Sequence, residues 1–239
     1  NGTTAVYRNL GNAEFERTAG TPVLSGTYNF AAWADYDNDG WLDLFISGYM
    51  GATNKLFHNN ADGSFTAVSL GSIVNERPRN NAGTYTGLWF DYDNDGALDL
   101  YVLNGDDNAS IQTANQLYHN NGNTNAWLTV RLIGTSSNRD AVGAKVRVLA
   151  TYAGKRHWQR RDISAGDAYN GNHRYAHFGL GNATKVTTLR VEWPSGTVEE
   201  FTNLTVNQML TLVEPSLRGE FGVDGMFYLQ IKGDPNRTY

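Results

Sequence analysis

The sequence predicts an all-β fold: stacked antiparallel sheets over about the first half of the chain and a small β-sandwich after them. Three observations carry that expectation. Short apolar segments alternate with Asp-, Asn- and Gly-rich turns throughout the 239 residues, and no stretch shows a convincing 3.6-residue period. The segment "DYDNDGWLDLF" at 35–45 returns as "DYDNDGALDLY" at 91–101, an offset of 91 − 35 = 56 residues, which marks a structural repeat. From about Asn125 the repeat stops, and alternating segments punctuated by Gly, Asn and Pro-Ser-Gly take over.

Taken in order, "VYRNLGNAEFERT" near the start is similar to the tail of a repeat unit, so the chain is expected to begin inside one. Each full unit then reads as an apolar strand (30–34; 88–90), an acidic loop and a β-rich strand (42–47; 98–103). A polar turn leads to a further strand that ends in "LFHNN" or "LYHNN". In the second part "AWLTVRLIG", "GAKVRVLATY", "RHWQRRDIS", "HRYAHFGLG", "TTLRVEWPSG", "VEEFTNL" and "QMLTLVE" are the predicted strands. The expected domains are 1–124, 125–214 and a remainder, 215–239. That remainder is read as a linker with one strand over 226–232, either the start of a truncated module or a packed tail.

Composition narrows the function classes. A formal net charge of −5 with no run of Lys or Arg argues against nucleic acid as a partner. The absence of cysteine excludes disulfides and thiolate chemistry. No apolar run approaches the roughly 18 residues of a membrane helix. With no initiator Met and no signal peptide, the chain reads as a mature or excised segment.

The acidic loops are the strongest chemical signal. Carboxylates on every second residue repel one another, and Asp is a poor strand or helix former. A hard cation compensates both defects, because Ca²⁺ takes six to eight oxygens at about 2.3–2.6 Å. Asp35, Asp37 and Asp39 would surround one point, with Gly40 for the sharp turn, the Trp41 carbonyl and Asp43 completing the shell. Asp91, Asp93, Asp95, Gly96, the Ala97 carbonyl and Asp99 form the second set. Closure by an acid at loop position 9, between β-prone flanks, separates this pattern from an EF-hand, where a Glu at 12 closes the shell. Mg²⁺ resists an all-protein cage, and zinc prefers His or Cys. An ion-free Asp/Asn/Gly turn is the alternative. Two divalent ions would bring the charge from −5 to −5 + 4 = −1.

These two loops resemble the calcium loops of FG-GAP/VCBS repeats, the blades of integrin-α-type β-propellers. "NRDAVGAKVRV" (138–148), "ISAGDAYNGNHRYAHFGLG" (163–181) and "VEWPSG" (191–196) resemble the ASPIC/UnbV domain. The resemblance implies a partial propeller followed by a β-sandwich, in a bacterial secreted, periplasmic or surface protein of the type related to cartilage acidic protein. It also implies two Ca²⁺ sites at the aspartates named above, and it transfers no catalytic residues. Propellers of this kind have six to eight blades, whereas two and a partial third are read here. The chain is then a fragment, or copies complete a ring as a homo-oligomer, or the second domain caps the open face.

Other residues carry weaker signals. His58 and His119 occupy equivalent repeat positions, as a metal ligand or base or as a shared structural hydrogen bond. His173 and His177, four apart in a predicted strand, would share one face, with no third ligand apparent. Ser164 and Ser195 lie in turns without a nucleophile elbow. "GKRHWQRRD" (154–162) is a basic strand that grips an anion or is simply solvated. The six Trp are mostly core candidates, Trp33 and Trp89 packing between blades and Trp41 packing or stacking on a sugar. Sequons stand at Asn108 and Asn203. The function expected is a calcium-stabilised, non-enzymatic extracellular module for adhesion or for binding a protein or glycan. The alternatives are a calcium-dependent hydrolase of ester-like or phosphorus substrates, or a carbohydrate-binding module.

Overall fold

Turn chemistry and alternation set the first part of the chain. In the computed structural model the described residues are 3–17, 24–69, 71–75, 83–105, 114–166, 174–221, 223 and 226–232. Strand β1 (Thr3–Thr4) pairs with β4 (Leu24–Ser25), and β2 (Tyr7–Gly11) forms a hairpin with β3 (Glu14–Arg17). Asn12 and Ala13 make its turn with positive φ of 50° and 62°, the backbone that fits the twist of a tight hairpin.

The first acidic unit is a four-stranded antiparallel meander: β5 (Tyr28–Ala34), β6 (Asp43–Gly48), β7 (Lys55–Asn59) and β8 (Phe65–Ala67). Strand β6 is buried along its whole length, because both of its faces are covered. Leu44 and Ile46 pack with Phe57 on one face, and Phe45 points to the other. A single helical turn, α1 (Ser72–Asn75), follows. The second unit is β9 (Gly83–Phe90), β10 (Asp99–Gly105) and β11 (Gln116–Tyr118), antiparallel in the order β11-β10-β9. Phe45 clusters with Leu56, Val74, Leu100 and Val102, so one core serves both acidic units. Gly87 has to be bare there, since a Cβ would sit 2.7 Å from Phe45 Cε1.

Asn125–Gly166 and Asn172–Tyr239 make up a separate compact unit. Its strands are β12 (Ala126–Ile133), β13 (Lys145–Tyr152), β14 (Lys155–Asp162), β15 (Tyr175–Gly181), β16 (Val186–Glu192), β17 (Val198–Leu204) and β18 (Gln208–Val213). They make two sheets, β15-β12-β18 and β14-β13-β16-β17, antiparallel throughout except for the parallel pair β12 and β18. Inward residues interdigitate between the sheets, with Leu128, Val130, Phe178 and Leu180 of one sheet meeting Val146, Val148, Leu189 and Val191 of the other. The architecture is all-β.

Two expectations are corrected. The strand predicted near 226–232 is β20 (Phe227–Lys232), but the segment before it is no linker: β19 (Ser216–Phe221) pairs with β20 as a hairpin. Of the six Trp, Trp193 is in the core while Trp33 and Trp158 are largely exposed. Trp89 leans on Phe45 and Tyr36 beside the shared core, whereas Trp33 meets Phe65. Trp158 stands on the outward side of β14, where alternation directs Arg156 and Arg160 as well. His173 and the sequon at Asn108 lie outside the described residues.

Candidate metal centre

Both acidic loops hang from the last rung of a strand pair. Ala34 pairs with Asp43 across β5 and β6, and Phe90 pairs with Asp99 across β9 and β10, so 35–42 and 91–98 are equivalent connections. The curl comes from residues that tolerate positive φ: Asn38 and Asn94 at 58° and 62°, Gly40 and Gly96 at 100° and 90°.

Within each loop the backbone folds onto the aspartates. Asp35 Oδ2 accepts the Gly40 N–H at 2.9 Å, and Asp91 Oδ2 accepts the Gly96 N–H at the same length. Trp41 and Ala97 donate their N–H to Asp39 Oδ1 and Asp95 Oδ1, both at 2.8 Å. The ninth residue ties loop to sheet. Asp43 takes the Tyr36 N–H on Oδ2 at 3.2 Å and the Asn59 N–H on Oδ1 at 2.8 Å. Asp99 does the same with Tyr92 and Asn120, at 3.1 and 2.8 Å. Asp35, Asp43, Asp91 and Asp99 are buried.

The carboxylates converge. One oxygen each from Asp35, Asp37 and Asp39 lie within 4.8 Å of one another, and Asp91, Asp93 and Asp99 do likewise. Asp37 and Asp43 also meet His58, whose Nδ1 is 3.1 and 3.3 Å from them. His119 Nδ1 approaches Asp93 and Asp99 at 3.7 and 3.3 Å, and Asp95 joins that group. The repeated histidines therefore sit against the acids at both sites within ion-pair distance, but His58 Nδ1 is buried without a hydrogen bond, so the expected shared hydrogen bond is not formed there.

Crowded, buried negative charge raises carboxyl pKa values. Burial pushes Asp43 up to about 8; the Asn59 N–H opposes this, and the Asp37, Asp35 and Asp39 carboxylates add to it. Asp39 and Asp91 are also raised, again mainly by burial. An all-oxygen donor set with charge short of a counter-ion suits a hard divalent cation. Asp35, Asp37, Asp39 and Asp43 would hold it in one loop, and Asp91, Asp93, Asp95 and Asp99 in the other, with the Trp41 and Ala97 carbonyls as the expected backbone ligands.

Sequence reasoning missed the amides around the loops. Asn38 Nδ2 donates to the Gly96 carbonyl at 2.8 Å, and Asn120 Nδ2 donates to the Tyr36 carbonyl at 2.7 Å. Their signal was in view, since Asn38 and Asn94, like Asn59 and Asn120, recur at matched positions.

The remaining candidates make contacts within the second unit. His177 Nδ1 lies 2.9 Å from Thr129 Oγ1, and its ring stacks near Trp127. Ser195 Oγ donates to Glu214 Oε1 at 2.5 Å. In the basic strand Arg160 forks onto Asp162 through two 2.6 Å bonds, and Arg161 covers the Phe178 ring. Asn203 Oδ1 accepts from Lys185 Nζ. No helix among the described residues is long and apolar enough to cross a membrane.

Comparison with known proteins places both parts. The family described as FG-GAP-like repeat matches residues 1–46 and 35–102, and the family described as ASPIC and UnbV matches residues 134–218. Cartilage acidic protein 1 of Homo sapiens is 32% identical over 174 residues, covering 68% of this chain and 24% of that protein. The Mus musculus protein of the same name is 32% identical over 171 residues, 68% of this chain and 25% of the relative. That of Xenopus tropicalis is 33% identical over 173 residues, 69% and 25%. The chain thus spans about a quarter of the length of the curated relatives it matches.

Proposed function

Because the chain belongs to the proteins in which FG-GAP-like repeats precede an ASPIC and UnbV domain, we propose that it is an extracellular, calcium-binding module with no catalysis of its own. Its task is adhesion or ligand binding, toward an extracellular protein or a glycan. Secretion, or display at a cell surface, goes with that role.

The single observation that carries the reading is the doubled convergence of aspartates, three carboxylate oxygens within 4.8 Å in each loop. Bound Ca²⁺ supplies two positive charges to four clustered carboxylates. Asp43 and Asp99 transmit that order to the sheets, since each grips a loop N–H and the N–H of the asparagine ending the aromatic-His-Asn segment. A rigid blade edge is then available for a partner, at little ordering cost on binding.

The test is thermal unfolding in calcium and in excess chelator, with light scattering on the same samples. At calcium 100-fold above Kd, each site adds about 2.7 kcal/mol, so a clear rise in midpoint is expected. Equal midpoints together with a metal analysis that finds no calcium would overturn the reading. The scattering mass reports whether copies associate, as a homo-oligomer completing the ring would require.

A further inference from the structure

The amides at matched repeat positions do more than brace their own loops. Asn38, the fourth residue of the first loop, is 4% exposed, and its Nδ2 donates to the Gly96 carbonyl of the second loop at 2.8 Å. Bonds return from the other side. Asn120 Nδ2 donates to the Tyr36 carbonyl of the first loop at 2.7 Å and to the Leu98 carbonyl of the second at 3.1 Å. Its backbone N–H meanwhile holds Asp99 Oδ1 at 2.8 Å. Asn123 Nδ2 donates to the Asp37 carbonyl. The peptides gripped in the first loop are those between Asp35 and Asp39, and those gripped in the second flank Ala97. Both are the segments that place the aspartates.

The repeat contains its own control. Asn94 occupies in the second loop the position of Asn38 in the first, with the same positive φ, yet it is exposed. Asn59 is the counterpart of Asn120, and its Nδ2 donates to Leu42 O, within its own unit. Cross-loop bonding therefore belongs to the junction between adjacent units. In a stacked repeat such nearest-neighbour contacts transmit order from one unit to the next.

We propose that Asn38, Asn120 and Asn123 couple the two loops, so that a divalent cation held in one makes the other bind its cation more tightly. This rests on the cation reading above. Ordering the first loop fixes the carbonyls of Tyr36 and Asp37. Through Asn120 and Asn38 that fixes Gly96, Leu98 and the N–H on Asp99. A second cation then meets a loop already in its binding conformation, which is positive cooperativity, and the effect is reciprocal.

Calcium chloride titrated calorimetrically into the chelator-stripped chain tests this directly. The expected result is two calcium ions bound with a Hill coefficient above 1. Asp93→Ala should leave one ion, bound about fivefold or more weakly than the pair. In an Asn38→Gly, Asn120→Ala, Asn123→Ala variant, two ions should bind with a coefficient of 1. Glycine keeps the left-handed backbone at 38 while removing the amide. Asn94→Gly, the matched change without a cross-loop bond, should leave cooperativity intact. If the triple variant does not fold, Asn38→Gly alone must lower the coefficient. Two independent ions in the parent, or cooperativity surviving the amide deletions, would overturn the coupling and leave the cation reading standing. Absence of bound calcium would overturn both.

Discussion

Glu214 supports a quantitative prediction about the second unit. Its carboxylate, 1% exposed, directly follows β18 and takes five hydrogen bonds. Oε2 accepts the N–H groups of Thr135, Ser136 and Ser137 at 2.9, 2.9 and 2.7 Å. Oε1 accepts the hydroxyls of Ser137 and Ser195 at 2.8 and 2.5 Å. Burial pushes this carboxyl up, but the bonds from Ser195, from the Ser137 and Thr135 backbone and from the Ser137 hydroxyl outweigh it and hold the pKa at about 2. A group that ionises near 4.5 when unfolded and at about 2 when folded contributes about 3 kcal/mol. The folded value is the depressed one, so this stability is fully present above pH 4.5 and is lost as pH falls toward 2. Glu214→Gln mimics the protonated acid, since its amide oxygen can face the three N–H groups and its NH₂ the two hydroxyls. The variant should melt about 10 °C below the parent at pH 7 and converge with it near pH 2. Calorimetry of both full chains from pH 7 to 2 checks this, and comparing them cancels the titration of the acidic loops. Midpoints that run parallel over the whole range would refute the argument.

Three further outcomes are expected. Asp93→Ala removes one of the converging carboxylates of the second loop and should lower the melting temperature in calcium, with the gap closing in excess chelator. Gly134→Ala places a methyl 2.1 Å from the Asn138 carbonyl, where the backbone must move, so denaturant unfolding should show a loss of about 1–3 kcal/mol. Phe178→Ala empties a fully buried position of the sandwich core and should cost about 3–5 kcal/mol by the same measurement.

Much of this was legible in the sequence because its signals are local. Alternation and turn residues marked β5, β6, β13 and β16, and two matched acidic segments marked the loops. What escaped was decided at long range. Nothing near Asn38 announces a bond to Gly96, 58 positions away, and nothing near Glu214 announces Thr135, 79 positions away. The strand Ser216–Phe221 was missed because "SLRGEF" holds a glycine and two charges and takes its register from β20. The exposure of Trp33 and Trp158 was misjudged because period-2 alternation tells which residues share a face, not whether anything covers it.

The parallel pairing of β12 with β18 also dictates a timetable. Leu128 lies opposite Gln208 and Ile133 opposite Val213, so the three-stranded sheet cannot be completed on a ribosome until the chain beyond 213 has emerged. Hairpins such as β13–β14 close as soon as they are made, but β12 must wait with one edge unpaired. Such late, distant pairing makes folding slow and leaves a strand edge open to other chains meanwhile. Glu214, the next residue to appear, then latches the loop that follows β12 and marks the end of that exposure.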